Sequence, residues 1–219
     1  MKWKDYNSNM VRDDIVEFKK TIPENVTIVA ATKYLSSSEM LDFLKADITN
    51  FGENRVDSFL AKYEDLQNKG IIWHFIGHLQ RNKAKLVVNK IDFLHSLDSL
   101  ELAEIIDQKR EKPLKCFIEV SINLEESKNG VPFYEVGDFV KSLLPLNNIE
   151  LVGLMMMAIK GADDLSLREQ FRKLRLLRDE LEETYKIKLP YLSMGMSDDY
   201  LDALKEGATH IRLGRILLK

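Results

Sequence analysis

The sequence predicts an α/β fold, a (β/α)8 TIM barrel with an extra N-terminal helix, in which residues 1–219 form a single domain. Three observations predict it. Short apolar runs recur eight times, and each is continuous rather than alternating with polar residues, which suits strands buried on both faces. Longer segments with helical spacing separate them, and strand–helix alternation implies a parallel sheet with right-handed crossovers. The prolines agree: Pro23, Pro113, Pro132, Pro145 and Pro190 fall between elements or at their starts.

Taken in order, a helix over about 12–21 precedes the first strand, TIVAATK (27–33). Ser36 with Glu39 forms a capping-box pattern for the helix that follows. ITNFGE (48–53) is the second strand, and Val56, Phe59, Leu60, Tyr63 and Leu66 make an apolar helical stripe behind it. WHFIG (73–77) is the third, followed by RNKAK (81–85), a solvated helix face. IDFLHS (91–96) is the fourth; Asp98 with Glu101 repeats the capping-box pattern, and Leu102, Ile105 and Ile106 form the next stripe. KCFIEVS (115–121) precedes the stripe Val136, Phe139, Val140, Leu143. ELVGLMMM (150–157) precedes Phe171, Leu174, Arg178, Leu181 and Tyr185. PYLSMG (190–195) and HIRLG (210–214) complete the set. The alternative, an open doubly wound sheet, is opposed by the lack of a GxGxxG turn after the first strand.

A net charge of −3 with scattered basic residues gives no polyanion-binding surface, so nucleic acid is not an expected partner. The one cysteine, Cys116, lies in an apolar run and reads as a core residue. No cysteine–histidine spacing suits zinc. MKWKDYNSNM (1–10) lacks the apolar stretch of a signal peptide, and no segment is long enough to span a bilayer. A cytoplasmic setting is expected, as is a monomer, because no exposed apolar stripe stands out.

In such a barrel the C-terminal strand ends form the functional face. They carry Lys33, Glu53 and Asn54, His78, His95 and Ser96, Met155 to Met157, Ser193 to Ser197, and Arg212 to Arg215. A lysine partly withdrawn from water exists more as free amine, the form that attacks an aldehyde; taken alone, Lys33 reads better as a chain reaching for solvent. In SMGMSDD, Gly195 permits a tight path and Ser197 stands where an N-cap belongs, a phosphate-binding geometry. Barrels commonly seat phosphate after strands seven and eight, and IRLGR adds Gly214 and the cation Arg215 there. Asp198 and Asp199 favour a plain cap instead. His74 reads as packed within a strand, His95 as a satisfied buried histidine and LMMMAI as core filler. A reactive lysine with a phosphate cradle suits either a phosphorylated sugar aldehyde or pyridoxal 5′-phosphate (PLP).

The motifs ATK, NFGEN, WHFIGHLQRNK, HSLDS, GLM, LSMGMSDD and GATHIRLG occur in this order from about Val29 to Gly214. Together they closely resemble the YggS/PROSC-type pyridoxal-phosphate homeostasis family. The resemblance implies a fold-type III PLP barrel similar to the N-terminal domain of alanine racemase. It implies that Lys33 holds PLP as a Schiff base and that Asn54 lies beside the ring. It further implies that Met155 lines the pocket, that Ser193, Ser197 and Gly214 contact the phosphate, and that Arg212 faces the pyridine nitrogen. Two positive charges would meet if that nitrogen were protonated, which weakens the ring as an electron sink. The family usually ends R.G..IFG with a threonine after the glycine; here RLGRILLK puts Arg215 in that place, either supplying charge in place of a hydroxyl or pointing away. The implied partners are PLP and PLP-dependent apoenzymes, with no nucleic acid and no membrane. Two functions stay open: a PLP carrier without a strong reaction, and an amino-acid racemase. The racemase needs a second base that alanine racemase takes from an added domain, and here the barrel uses the whole chain. A Schiff-base aldolase is disfavoured by the resemblance.

Overall fold

The structure, a computed structural model, describes residues 11–122, 129–159 and 161–219; the leader reading of residues 1–10 lies outside them. Its strands are β1 (Thr27–Ala31), β2 (Asn50–Glu53), β3 (Ile72–Phe75), β4 (Phe93–Leu97), β5 (Leu114–Ser121), β6 (Val131–Pro132), β7 (Ile149–Met155), β8 (Tyr191–Met196) and β9 (His210–Leu213). Its α-helices are α1 (Ile15–Lys20), α2 (Ser37–Lys45), α3 (Val56–Asp65), α4 (Arg81–Val87), α5 (Leu100–Lys109), α6 (Val136–Leu143), α7 (Asp164–Tyr185) and α8 (Tyr200–Lys205).

The sheet runs β4-β3-β2-β1-β9-β8-β7-β5, and β4 pairs with β5 to close the ring. Every pairing in the ring is parallel. The eight predicted strands are therefore the eight staves of a closed barrel. The two-residue β6, which the sequence reading leaves between elements, adds to β5 outside the ring. No helix among the described residues is long and apolar enough to cross a membrane.

Alternation along each strand sorts the core into two layers, because successive side chains face opposite sides of a sheet. Trp73 and Phe75, Leu94, Cys116 and Ile118, Leu154 and Met156, Leu192 and Met194, and Ile211 and Leu213 join the main core. Their neighbours His74, His95, Phe117, Met155, Ser193 and Arg212 are also buried but stay out of it. Phe117, Val152 and Met155 form a separate cluster with Phe93 and Tyr191 against it. His74 stacks on Phe93 and His95 on Phe117, with centroids 4.6 and 4.4 Å apart. This barrel is filled by rings and polar groups rather than the branched aliphatic layers usual in the fold.

One expected cap forms and two differ. Ser36 and Glu39 make the reciprocal capping box. The second pattern shifts by one residue: Ser99, not Asp98, caps α5, accepting from Leu102 N, and Asp98 turns to His78. Ser197 is not an N-cap either, since α8 begins at Tyr200 after Asp199.

Gly153 shows how closely the strands pack. It lies opposite Tyr191, and a Cβ there would meet the Tyr191 carbonyl oxygen at 1.9 Å. Backbone cannot yield as a flexible side chain can, so Gly153→Ala is expected to cost more than about 3 kcal/mol. Denaturant midpoints would measure this; an unchanged midpoint would contradict the packing described.

Candidate functional site

Register brings the candidate residues to one corner of the rim. Ala31 pairs with Gly52, so Lys33 and Asn54, each two residues further on, leave neighbouring strands side by side. On the other flank Ala30 pairs with Leu213, and a Cβ on Gly214 would lie 3.7 Å from Ala31 Cβ. Lys33, Asn54 and Gly214 thus share the seam of β2, β1 and β9.

The strand end before Lys33 is clamped from below. Lys62 Nζ donates to the Thr32 carbonyl at 2.6 Å and to Glu53 Oε1 at 2.5 Å. Glu53 also accepts from Thr32 Oγ1 at 2.5 Å and from Ser58 Oγ at 2.9 Å. Both Glu53 and Lys62 are buried. The sequence reading placed Glu53 at the strand end but did not see its partner, which lies on a helical stripe otherwise apolar. Lys33 itself is exposed, with Nζ 4.6 Å from the Tyr34 ring centroid. The expected partial withdrawal from water is thus absent from this structure; the tether, not burial, is what the fold provides. Asn54 is exposed beside it.

Ser197 Oγ accepts from Gly214 N at 3.2 Å and from Ile216 N at 3.4 Å. Two backbone N–H groups therefore converge on one oxygen between the last two strand ends, a nest of the kind that takes anions. Gly195 makes the turn possible, with φ +96 and Ala203 Cβ only 2.7 Å from where its own Cβ would be. Arg215 pairs with Asp198 at 2.6 Å. Both side chains are mostly exposed, so this cation lies at the edge of the nest, engaged by a carboxylate rather than free.

Ser193 has its own set of partners in this structure. Its Oγ lies inside the barrel, accepting from Arg212 Nη1 at 2.6 Å and 2.7 Å from His95 Nδ1, not with Ser197 at the nest. Arg212 Nη2 donates to the Met156 carbonyl at 2.8 Å. Met155 is buried in the inner cluster. His74, expected as packed within a strand, and His95, expected as a satisfied buried histidine, are bonded to each other, Nδ1 to Nε2, at 2.8 Å. Two inward-facing histidines on neighbouring strands were the available signal.

Burial governs the charges. It pushes Arg212 down to about 10, with Asp199 and Glu119 pulling upward, so the guanidinium stays cationic at neutral pH. Glu119 is raised to about 7 by burial and then by Asp98, against Arg212 and His78. Burial lowers His74 and His95 well below the ordinary imidazole value, and brings His210 from 6.5 to about 4, with Arg212 adding to the effect.

These shifts make acid destabilising. A base depressed by folding binds its proton more readily when unfolded, so its stability is complete above about pH 6.5 and drains as pH falls. For His210 the full loss amounts to about 3 kcal/mol by about pH 4. Glu119 acts oppositely between 4.5 and about 7, and Asp98 and Asp199, raised by burial, add to its side lower down. Three histidines against one glutamate leave a net loss of stability from about pH 6.5 to 5. Melting temperatures should fall across that window, and His210→Phe should flatten the slope; a rise on acidification would refute the assignment.

Two clefts need placing. One of about 620 Å³ lies at the β3 and β4 ends, lined by His78, Arg81, Asp98 and Ser99. A larger one, about 720 Å³, lies at the opposite end of the barrel between α1 and the strand starts. Its lysines Lys19, Lys20 and Lys45 are paired with Asp47, Glu17 and Asp42, so among the described residues its amines are engaged by carboxylates.

The chain matches the family model for the alanine racemase N-terminal domain over residues 7–219. It is 39% identical over 193 residues to the pyridoxal phosphate homeostasis protein of Aquifex aeolicus, covering 87% of this chain and 85% of that one. The chain belongs to the pyridoxal phosphate homeostasis protein family. The family member of Escherichia coli K12 is 31% identical over 198 residues, 88% of this chain and 84% of its own. Among solved structures, PipY of Synechococcus elongatus PCC7942 with PLP bound aligns with a TM-score of 0.87 at 30% identity, over 94% of this chain and 100% of PipY. Alanine racemase of Clostridium difficile 630 aligns with a TM-score of 0.74 at 16% identity over 94% of this chain and 57% of its own, a likeness of fold.

Proposed function

We propose that this chain binds pyridoxal 5′-phosphate at the β2–β1–β9 seam and serves its homeostasis in the cytoplasm, acting as a monomer that holds the reactive aldehyde and yields it to PLP-dependent apoenzymes. The observation that carries the reading is the corner itself: a tethered amine at Lys33 beside two convergent N–H groups at Gly214 and Ile216. The donor set suits the group, since an amine answers an aldehyde and an N–H nest answers a phosphate. PipY, matched over its whole length, is a structure with PLP bound.

Bound there, PLP supplies an aldehyde carbon that amines attack. Lys33 provides the amine for covalent attachment, with loss of water. Asn54 stands beside it. Gly214, Ile216 and the Ser197 hydroxyl would hold the phosphate, and Arg215, paired with Asp198 at the edge of the nest, would add its charge. Arg212, held by Ser193 and the Met156 carbonyl, can give hydrogen bonds but cannot take a proton at neutral pH, so it disfavours a second cation facing it. That is poor provision for stabilising a carbanion and supports a carrier over a racemase. Tyr34, Met157 and Met196 stand exposed on the loops after β1 and β7 and at the end of β8, which suits uptake and release.

Reduction of the PLP-treated protein with borohydride, followed by peptide mapping, tests the site: the label is expected on Lys33, and label on another lysine overturns it. Rapid exchange of the α-proton of an added amino acid by the loaded protein would favour the racemase.

A further inference from the structure

One unbroken hydrogen-bonded file crosses the barrel interior, with one side chain from each of five strands. Arg212 Nη1 donates to Ser193 Oγ at 2.6 Å. Ser193 Oγ lies 2.7 Å from His95 Nδ1. His95 Nε2 lies 2.8 Å from His74 Nδ1, and His74 Nε2 lies 2.8 Å from Asn50 Oδ1. Ser193, His95 and His74 are wholly buried. Asn50 ends the file at the far mouth of the barrel, where it lines the lower cleft.

The protons along this file can be placed one by one. Guanidinium only donates, so Ser193 Oγ accepts from Arg212. The serine's own proton then goes to His95 Nδ1, its remaining partner. A neutral imidazole carries one N–H, so His95 bears it on Nε2 and donates to His74 Nδ1. His74 in turn bears its proton on Nε2 and donates to Asn50 Oδ1. The reverse order would have His95 and Arg212 both donate to Ser193, leaving the buried serine proton with no acceptor, a cost the first order avoids. Ring stacking on Phe93 and Phe117 holds the imidazole planes in place, and the Met156 carbonyl pins the other arm of the guanidinium.

We propose that His95 and His74 are positioning residues for Arg212: acting through Ser193, they fix the guanidinium in one orientation and commit Ser193 to Arg212, not to the phosphate. The proposal rests on the function proposed above only in saying what Arg212 is held for.

Two measurements test it. Imidazole ¹⁵N NMR of the protein without PLP should show His74 and His95 as neutral Nε2–H tautomers from about pH 6 to 8. A protonated ring, or an Nδ1–H tautomer at either position, overturns the proposal, and this holds whether or not PLP binds. The second compares His95→Leu, which removes acceptor and donor together, with His95→Gln, which keeps one of each. With PLP, His95→Leu should shift the visible absorption band and weaken binding about tenfold, the scale of one lost charge-assisted hydrogen bond. His95→Gln should restore both. If both variants melt earlier but keep the wild-type band and affinity, the histidines are structural only and the proposal fails. Should His95→Leu not fold, the NMR tautomers of the wild-type protein still decide. Absence of PLP binding by the wild-type protein would refute the proposed function while leaving the tautomer result to stand or fall by itself.

Discussion

Lys33→Ala is expected to abolish the borohydride-fixed label and the visible band of the PLP-treated protein while leaving the fold intact. The side chain is exposed, and its one described contact is with the neighbouring Tyr34 ring, so stability should change by less than about 0.5 kcal/mol. Under the proposed function, binding should persist in weakened form, held through the Gly214 and Ile216 N–H groups that converge on Ser197 Oγ in this structure. A roughly hundredfold loss of affinity, about 2.7 kcal/mol, is the expected scale for losing the covalent link. Lys33→Arg should behave alike, since a guanidinium keeps the charge but offers no free amine. Calorimetric titration alongside reduction and mass analysis would separate the two contributions. A fully labelled Lys33→Ala protein would place the reactive amine elsewhere and remove the functional reading.

Lys62→Met should have the largest effect on stability. It leaves the Glu53 carboxylate, wholly buried, without the ammonium that neutralises it. Breaking one side of such a pair costs about 3–5 kcal/mol, which for a chain of this length means a melting temperature lower by roughly 10 °C. Replacing both partners, Lys62→Met with Glu53→Gln, should recover much of the loss, because no unpaired charge remains buried. The same lysine holds the Thr32 carbonyl, one residue before Lys33. Even at temperatures where Lys62→Met is folded, it should therefore label more slowly at Lys33. Equal melting temperatures for the single and double variants would show that the pair is not what holds this strand end.

The barrel was legible because every stave appears as a separate apolar run, and prolines or caps mark several of the joins. The corner was legible as well: Lys33, Asn54 and Gly214 lie at strand ends, and parallel register brings equal ends together. What lay hidden was inside the staves. In WHF, LSM and IRL the middle residue is polar and its neighbours apolar, and in LHS His95 has one apolar neighbour, Leu94, and one polar, Ser96; a count of apolar content reads such runs as uniformly buried. Period two sends the middle residue inward and its flanks outward, so four runs contribute one polar file that no single run announces. Ser193 is a member of that file: it stands four residues before Ser197 in sequence, and its parity places its hydroxyl on the axis. Asp98 and Ser197 show a second limit. Both are good cap residues by type, but Asp98 faces His78 and Ser197 faces the β9 turn, and tertiary partners won over local preference.

Closure of the ring joins β1 to β9, with Thr27 opposite His210. Contacts so distant along the chain form late, since their loop entropy is met only after intervening units assemble. A growing polypeptide cannot complete this joint until its final stave has emerged. The amine and the N–H nest lie on either side of that last joint, so at the proposed site capture of the vitamin would be reserved for molecules that have finished folding, and a bound vitamin would in turn act as a clasp against their reopening.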